Sequence, residues 1–295
     1  MARVFLDYTQ EELDRAYDQS AYAPNREQLL ARLAHTSELA RRRLGAPERC
    51  AYGDAPIEGL DLYRTKAPRA PICVFVHGGA WRAGLARDYA FPAEVLLRAG
   101  AHYAALDFAN VLETGGDLMP MAEQVRRGIA WVCRNAERLG GDARRVYVAG
   151  TSSGAHLGGV AATSDWTRYG LPADPVRGYT LASGMYDLRA PRLSKRSAYV
   201  KFTDEAEQAL SPQRHLERVN APIVLLFGSL ETPEFQRQTR DFADALTRAG
   251  KSCELIRAEG YNHFELTETL GNPYGPLGRA VLAQMRLNSA TEFGD

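Results

Sequence analysis

A serine flanked by glycines directly after an apolar strand is the first candidate for chemistry. Gly150-Thr-Ser-Ser-Gly154 fits the pattern Gly-x-Ser-x-Gly, follows the predicted strand 145–149 and opens a small-residue helix. A sharp strand-to-helix turn needs glycine on both sides of the serine, because a side chain there would collide with backbone. The turn exposes the Ser152 hydroxyl and aims the Ser153 N–H at a reacting oxygen, which predicts a nucleophile for acyl transfer. A glycine- and serine-rich helix cap is the alternative.

A pair of glycines follows the apolar strand 72–76. In His77-Gly-Gly-Ala-Trp81, Gly78 and Gly79 leave backbone N–H groups free to point into a cleft, as an oxyanion hole requires. A tight turn at the end of a strand is the alternative, but a nucleophile further along the chain favours the oxyanion hole. We expect His77 to hold the loop rather than to titrate in catalysis.

The general base and the acid that orients it must come from loops after later strands. Of six histidines, His263 lies in a Gly/Asn-rich loop after the last predicted strand, from which an imidazole can reach back to the serine. The loop after the strand 223–227 contains Glu231 and Glu234, and Asp187 follows an earlier strand. Glu231 is favoured over Glu234, which would fall in the first turn of a helix, where the dipole favours a carboxylate anyway. The chain order is then serine, acid, histidine.

Composition excludes several classes of protein. The chain has 295 residues, and its 36 Lys and Arg balance 36 Asp and Glu, so it lacks the basic field that non-specific nucleic-acid binding uses. A hydrophobic content of 45% and a charged content of 24% are typical of soluble globular proteins. The four cysteines are far apart and form no zinc or disulfide pattern. No apolar run approaches the roughly 20 residues of a membrane span, and the polar start predicts no signal peptide, so a cytoplasmic location is expected.

Strands and helices alternate along most of the chain. Residues 1–50 are predicted to form a helical arm, and 49–52 can pair with 59–64 as a hairpin. The further alternation indicates a mostly parallel sheet of about eight strands with helices on both faces. Residues 187–220 are polar and lack a clear strand, so we expect a small cap there, in a single domain covering 1–295. The strand candidates are 72–76, 102–108, 145–149, 176–183, 223–227 and 252–258, and the helix candidates are 11–17, 26–44, 92–99, 121–139, 154–163 and 233–249.

Several motifs resemble those of the α/β-hydrolase superfamily, and within it the kynurenine formamidase-like (arylformamidase) and HGG-type esterase branch. They are HGGAW, GTSSGAHL, SGMYDL, GSLETPEFQRQ and GYNHFEL. The resemblance runs from about residue 50 to the C-terminus, and the arm also resembles this branch. It implies an α/β-hydrolase fold and hydrolysis of formamides and carboxylic esters without a metal or cofactor. By this resemblance Ser152 is the nucleophile, His263 is the base, and the oxyanion donors are Gly78, Gly79 and Ser153.

The sequence departs from the branch in two places. Glu231 stands where the formamidase-like pattern usually has Asp before Ser-Pro-Glu-Phe, and the backbone must retreat to fit the longer side chain. The segment Asp107-Phe-Ala-Asn-Val111 replaces a run similar to Asp-Tyr-Arg-Leu-Ala-Pro. Both changes concern the substrate rather than the class of reaction.

The sequence thus predicts a serine hydrolase of small aromatic esters, formamides or other amides, acting through Ser152, Glu231, His263 and an acyl-enzyme. The alternatives are a non-catalytic ligand-binding protein on the same fold and a short-chain carboxylesterase without amidase activity. The expected partner is a small-molecule substrate, not nucleic acid or membrane, and a homodimer is compatible with the sequence. An aromatic pocket is expected, with ordinary packing as the alternative for each of its members, Trp81, Phe108, Tyr186 and Tyr22.

Overall fold

A single sheet organises the computed structural model, which describes residues 2–288. The strands of this range are β1 (Glu48–Ala51), β2 (Gly59–Tyr63), β3 (Ala70–Val76), β4 (His102–Leu106), β5 (Gly141–Thr151), β6 (Tyr179–Ala182), β7 (Ile223–Gly228) and β8 (Cys253–Ala258). Their spatial order is β1-β2-β4-β3-β5-β6-β7-β8. The pairs β1–β2 and β2–β4 are antiparallel and the other neighbours are parallel. The predicted hairpin and the mostly parallel sheet of about eight strands are confirmed.

Helices cover both faces of this sheet. Within residues 2–288 they are α1 (Gln10–Ala16), α2 (Arg26–Leu44), α3 (Ala93–Arg98), α4 (Met119–Asn135), α5 (Ser153–Ala162), α6 (Arg189–Leu193), α7 (Asp204–Ala209), α8 (Pro233–Arg248), α9 (His263–Glu268) and α10 (Pro276–Gln284). The start of α8 shows how the sequence sets a boundary. The Thr232 side chain accepts the N–H of Phe235, and Pro233 occupies the first helical position, where its missing N–H costs nothing.

The central strand β3 explains why the core has two layers. All seven of its residues are buried, because a parallel strand covered by helices on both faces has no solvent side. Ile72, Val74 and Val76 pack into one apolar cluster, with α4 and α5. Cys73 and Phe75 point to the opposite cluster, with α3 and α10. The strand therefore reads as a continuous apolar run rather than as an alternation.

Two predicted elements are shorter or shifted in the structure. The strand predicted at 176–183 spans only Tyr179–Ala182, because Ser183 leaves it with a left-handed φ of 60°. The helix predicted at 121–139 spans Met119–Asn135. The chain turns after it and passes through Gly140, whose φ of 84° suits glycine.

The segment 187–220 lies against the N-terminal arm. It contains α6, α7 and several short turns. The Gln10 side chain of α1 donates to the Leu193 carbonyl at 2.8 Å, and the Lys195 Nζ lies 2.6 Å from Asp18. Arg196 donates to the carbonyl of Tyr17 at 3.2 Å. Two distant stretches of chain thus form one layer above the C-terminal end of the sheet. No helix in residues 2–288 is long and apolar enough to cross a membrane.

A buried histidine joins this layer to the helix that follows the serine turn. His156 on α5 accepts the indole N–H of Trp81 at Nδ1 (3.1 Å) and donates from Nε2 to the Leu210 carbonyl (2.8 Å). These two bonds require the neutral Nε2–H tautomer. Burial lowers the pKa of His156 to about 4, against the smaller opposing effect of the bond to Leu210. Burial also lowers the pKa of His77.

Stability should therefore fall in mild acid. Well above pH 6.5, His156 is neutral in both the folded and the unfolded chain. As the pH falls from 6.5 toward 4, the unfolded chain takes up a proton that the folded protein excludes. We expect this residue alone to cost about 3 kcal/mol of unfolding free energy across that range. Urea unfolding at a series of pH values measures the slope.

Comparison of variants isolates the contribution of His156. His156→Gln should show a shallower decline of unfolding free energy between pH 6.5 and 4 than the parent protein. His35 is exposed, so His35→Gln should keep the parent slope. An unchanged slope in His156→Gln would show that the residue does not resist protonation.

Candidate active site

Ser152 occupies a strained turn between β5 and α5. Its φ of 57° and ψ of −125° lie outside the regions that a non-glycine residue prefers. The glycines on either side make the turn feasible. A Cβ on Gly154 would lie 2.0 Å from the carbonyl oxygen of Val76, and one on Gly150 would lie 2.6 Å from the carbonyl oxygen of Gly154. The turn predicted from the sequence is present, and it leaves Ser152 half-buried at the wall of a cavity.

The structure brings His263 and Glu231 to this serine. His263 is the first residue of α9, and its Nε2 lies 2.9 Å from Ser152 Oγ. Its Nδ1 lies 3.0 Å from Glu231 Oε2. Both side chains are almost fully buried. The three residues therefore form a continuous hydrogen-bonded chain from hydroxyl to imidazole to carboxylate.

The remaining contacts of Glu231 hold its carboxylate in one orientation. Its Oε1 accepts the Ser183 hydroxyl at 2.5 Å and the Gly228 N–H at 2.8 Å. The left-handed turn at Ser183 places this hydroxyl beside the carboxylate. A Cβ on Gly228 would lie 2.2 Å from the Tyr261 carbonyl oxygen, so the close approach of these two loops requires glycine.

The other two candidate acids are engaged elsewhere. Glu234 is fully buried, and Arg237 binds both of its carboxylate oxygens at 2.7 and 2.8 Å. The Tyr17 hydroxyl also donates to Glu234, at 3.0 Å. Asp187 accepts the N–H of Arg189 at 3.0 Å and lies 3.3 Å from Arg214. Among the three acids, Glu231 makes the contact with the imidazole.

Sequence reasoning missed a fourth residue at this hydrogen-bonded chain. The amide nitrogen of Gln19 lies 3.3 Å from Glu231 Oε2 and 3.1 Å from His263 Nδ1. Gln19 follows α1 in the arm and is buried. Because Nδ1 carries the proton shared with Glu231, the amide acts as a donor to the carboxylate. The N-terminal arm thus supplies a direct partner of the buried acid.

The loop after β3 faces Ser152. Gly79 has a φ of 122°, and a Cβ there would lie 1.9 Å from the carbonyl oxygen of Ala83. A Cβ on Gly78 would lie 3.1 Å from that of Ser152. Ser153, the residue after the serine, begins α5, so its N–H has no intrahelical acceptor. Gly78 therefore approaches Ser152 closely from the loop after β3, and Ser153 adjoins Ser152 at the start of α5.

His77 holds the shape of this loop. Its ring stacks on Phe108 with centroids 4.3 Å apart, and on Tyr89 at 5.5 Å. Its Nδ1 lies 2.8 Å from the Gly78 carbonyl. The side chain is buried between these rings, away from Ser152, which agrees with the expected structural role.

The four aromatic residues predicted for the pocket lie outside the lining of the cavity, so this prediction is corrected. Phe108 is buried against His77, and Tyr186 is buried and stacks on Phe242 at 4.4 Å. Tyr22 is half-buried within the arm. Trp81 is buried because left-handed φ values at Ala80 and Trp81 turn the indole back toward α5.

The cavity above Ser152 has a volume of about 880 Å³. The arm, the loop after β3, the segment 195–199 and the start of α9 contribute its walls. Its aromatic lining residues are Tyr17, Tyr89, Tyr199 and Phe264. No local sequence signal marked these residues, because they reach the site through contacts between distant segments. Within residues 2–288, no three His, Cys, Asp or Glu side chains are grouped as metal ligands.

Comparison with known proteins shows which enzymes the chain is similar to. The family model described as BD-FAE matches residues 60–174. Kynurenine formamidase of Danio rerio is 28% identical over 89% of this chain and 92% of that protein. Isoprenylcysteine alpha-carbonyl methylesterase ICME of Arabidopsis thaliana is 28% identical over 73% of this chain and 56% of that protein.

Solved structures agree on the fold. A protein from Silicibacter sp. TM1040 superimposes with a TM-score of 0.80 at 24% identity, covering 93% of this chain and 99% of that one. Esterase LipW from Mycobacterium marinum gives a TM-score of 0.69 at 21% identity, over 92% and 90% of the two chains. The chain has the α/β-hydrolase fold. Its relatives include kynurenine formamidases and esterases, and it is an ester or amide hydrolase.

Proposed function

We propose that the protein is a serine hydrolase that cleaves small aromatic esters, formamides or other amides through Ser152, His263 and Glu231. The observation that carries this proposal is the hydrogen-bonded chain from Ser152 Oγ through His263 to Glu231, which opens into the cavity. A nucleophile, a base within hydrogen-bond reach and a group that orients the base are the requirements of acyl transfer. The domain proposed for this activity is a single one, with residues 1–50 as arm and 187–220 as cap.

The proposed reaction has two halves. His263 Nε2 takes the proton from Ser152 Oγ as the oxygen attacks the substrate carbonyl, and Glu231 stabilises the imidazolium that forms. The N–H groups of Gly78, Gly79 and Ser153 are the proposed donors to the oxyanion. The tetrahedral intermediate collapses, and His263 gives its proton to the departing alcohol or amine. Water then attacks the acyl-enzyme with the same base and releases the acid.

The lining of the cavity supports an aromatic substrate. Tyr17, Tyr89, Tyr199 and Phe264 are the aromatic residues of this lining, and we expect a flat group to pack against them. Such a contact is worth roughly 0.5–1.5 kcal/mol beyond burial. The likeness to a kynurenine formamidase supports formamides as substrates. The likeness to a methylesterase supports esters.

Substrate profiling tests this proposal. With one fixed aryl leaving group, we expect kcat/KM to be highest for formyl to butyryl groups and to fall with longer chains, because the arm and the segment 195–199 wall the cavity. Formanilides should be cleaved by the same site. A maximum at long acyl chains would contradict the short-acyl proposal and indicate a lipase. Turnover of aryl esters without any formanilide cleavage would indicate a carboxylesterase.

Labelling by a fluorophosphonate probe separates an enzyme from a binding protein. The probe reacts with an activated serine, so we expect one equivalent to attach to Ser152 and to abolish turnover. A folded protein that binds aryl ligands and does not react would support the non-catalytic alternative.

A further inference from the structure

A buried arginine in the cavity wall lacks an acidic partner. Arg196 is only 6% exposed, yet no carboxylate in the described part of the chain lies within 4.0 Å of its guanidinium. It donates to the Tyr199 hydroxyl at 2.8 Å and to the Tyr17 carbonyl at 3.2 Å. Its Nε has no hydrogen-bond partner. Since a guanidinium has five N–H donors, most of its hydrogen-bonding capacity is unused.

Other buried ion pairs in the protein show how unusual this arrangement is. The buried carboxylate of Glu234 is matched by Arg237, and that of Glu58 by Arg127. Arg196 instead lies near three aromatic rings, those of Tyr17, Trp81 and Phe235, with its central carbon 5.5 to 5.7 Å from their centroids. Ring faces compensate a buried cation only in part, and an unpaired buried charge is costly.

The position of Arg196 connects it to the proposed reaction centre. It lines the same cavity as Ser152 and His263. The Phe235 ring beside the guanidinium also meets the His263 imidazole edge-on, with centroids 5.1 Å apart. Trp81, a second ring beside it, directly follows the proposed oxyanion loop. A substrate group that reaches Arg196 would therefore be part of the molecule whose carbonyl lies at Ser152.

The rest of the cavity wall has an excess of positive charge. Lys195 is neutralised by Asp18 at 2.6 Å. Arg82 lies over the Tyr199 ring at 4.7 Å, and Arg26 lies over Phe264 at 5.6 Å. Neither has an acidic partner within 4.0 Å among the described residues. The one other acid of the wall, Asp88, lies 3.8 Å from Arg87.

We propose that Arg196 binds a carboxylate of the substrate, so that the preferred substrates are small aromatic esters or amides that carry a negative charge. This inference rests on the proposed function and names its substrate class. A planar carboxylate matches the fork of the guanidinium and can take two parallel hydrogen bonds. It would also supply the counter-charge that the protein itself does not provide.

Matched substrates test the proposal on the unmodified protein. We would compare kcat/KM for 3- and 4-carboxyphenyl acetate with the carbamoylphenyl acetates, and 4-nitrophenyl 4-carboxybenzoate with its 4-carbamoyl counterpart. In at least one pair the carboxylate should be favoured about 10- to 100-fold, the range of a charged hydrogen bond. Benzoate should inhibit turnover of a neutral ester more strongly than benzamide does.

Variants then assign the preference to Arg196. Arg196→Met should lower kcat/KM for the carboxylate member of each pair more than for the carbamoyl member and so remove the preference, and Arg196→Lys should restore part of the preference, since a lysine keeps the charge without the fork. Arg87 is exposed and outside the cavity lining, so Arg87→Met serves as the matched control and should keep the preference.

Failure of the carboxylate proposal can be distinguished from failure of the proposed function. If neither carboxylate nor carbamoyl substrates are cleaved, the proposed function is wrong. If both members of every pair are cleaved equally, or if Arg196→Met keeps the preference, the carboxylate site is wrong while the hydrolase stands. Should Arg196→Met fail to fold, equal inhibition of the parent protein by benzoate and benzamide would overturn the carboxylate site by itself, and stronger inhibition by benzoate would support it.

Discussion

Ser152→Ala should lower kcat for aryl ester hydrolysis by about 10⁶-fold, the size of effect seen when a triad nucleophile is removed elsewhere. The hydroxyl is the proposed attacking group, and no other hydroxyl contacts His263 Nε2 among the described residues. The fold should be unaffected, because Gly150 and Gly154 provide the space for the turn. Alanine at a φ of 57° is no more strained than serine. Pre-steady-state and steady-state rates on a phenyl ester measure the loss.

The neighbouring serine is the sharpest control. Ser153→Ala removes a hydroxyl from the same turn but keeps the backbone N–H proposed for the oxyanion hole, so at least a tenth of the activity should remain. Circular dichroism and urea unfolding check that both variants are folded. A folded Ser152→Ala protein with undiminished turnover would disprove the nucleophile assignment.

Glu231→Gln should lower kcat by about 10⁴-fold, with a smaller change in KM. The carboxylate accepts the proton on His263 Nδ1 and so keeps Nε2 free to act as the base. An amide of the same shape can present its NH₂ group to Nδ1 instead, which favours the wrong tautomer of the imidazole. It also removes the negative charge that stabilises the imidazolium.

The two rejected acids provide the comparison for Glu231. The Asp187 side chain is half-exposed, and Asp187→Asn should leave kcat almost unchanged. Glu234→Gln leaves Arg237 without its buried partner, so it should cost stability, about 3–5 kcal/mol, with a modest effect on kcat per folded molecule. Active-site titration corrects for the unfolded fraction. If either variant loses more kcat than Glu231→Gln, the orienting acid is that residue.

The sequence predicted those parts of the molecule that depend on local pattern. The strand β3 is recognisable because a strand buried on both faces must be apolar throughout. The turn at Ser152 is recognisable because its backbone tolerates only glycine on each side. Glu231 and Glu234 could be distinguished by the start of α8, since the first helical turn accounts for a carboxylate without a further function.

The walls of the cavity could not be predicted in the same way. Gln19 and His263 are 244 residues apart in the chain, and no local pattern indicates that they touch. The segment around Arg196 has the polar composition of a solvated loop, yet the arm buries this side chain. The position of Trp81 beside the glycine loop predicts a pocket residue, but left-handed φ values at Ala80 and Trp81 turn its side chain the other way. Side-chain direction after such a turn depends on backbone angles that residue type alone does not set.

The contacts between the arm and the segment 187–220 have a consequence for engineering substrate range. The backbone N–H of Lys195 donates to Asp14 at 2.5 Å, its side chain pairs with Asp18, and Arg196 holds the Tyr17 carbonyl. The two segments are therefore one exchangeable module, although they are far apart in the chain. In a chimera that takes only the cap from a relative, Asp14 and Asp18 would lose their contacts with Lys195. We expect Gln19 to move away from Glu231 as a result. Transfer of specificity requires both pieces to be moved together.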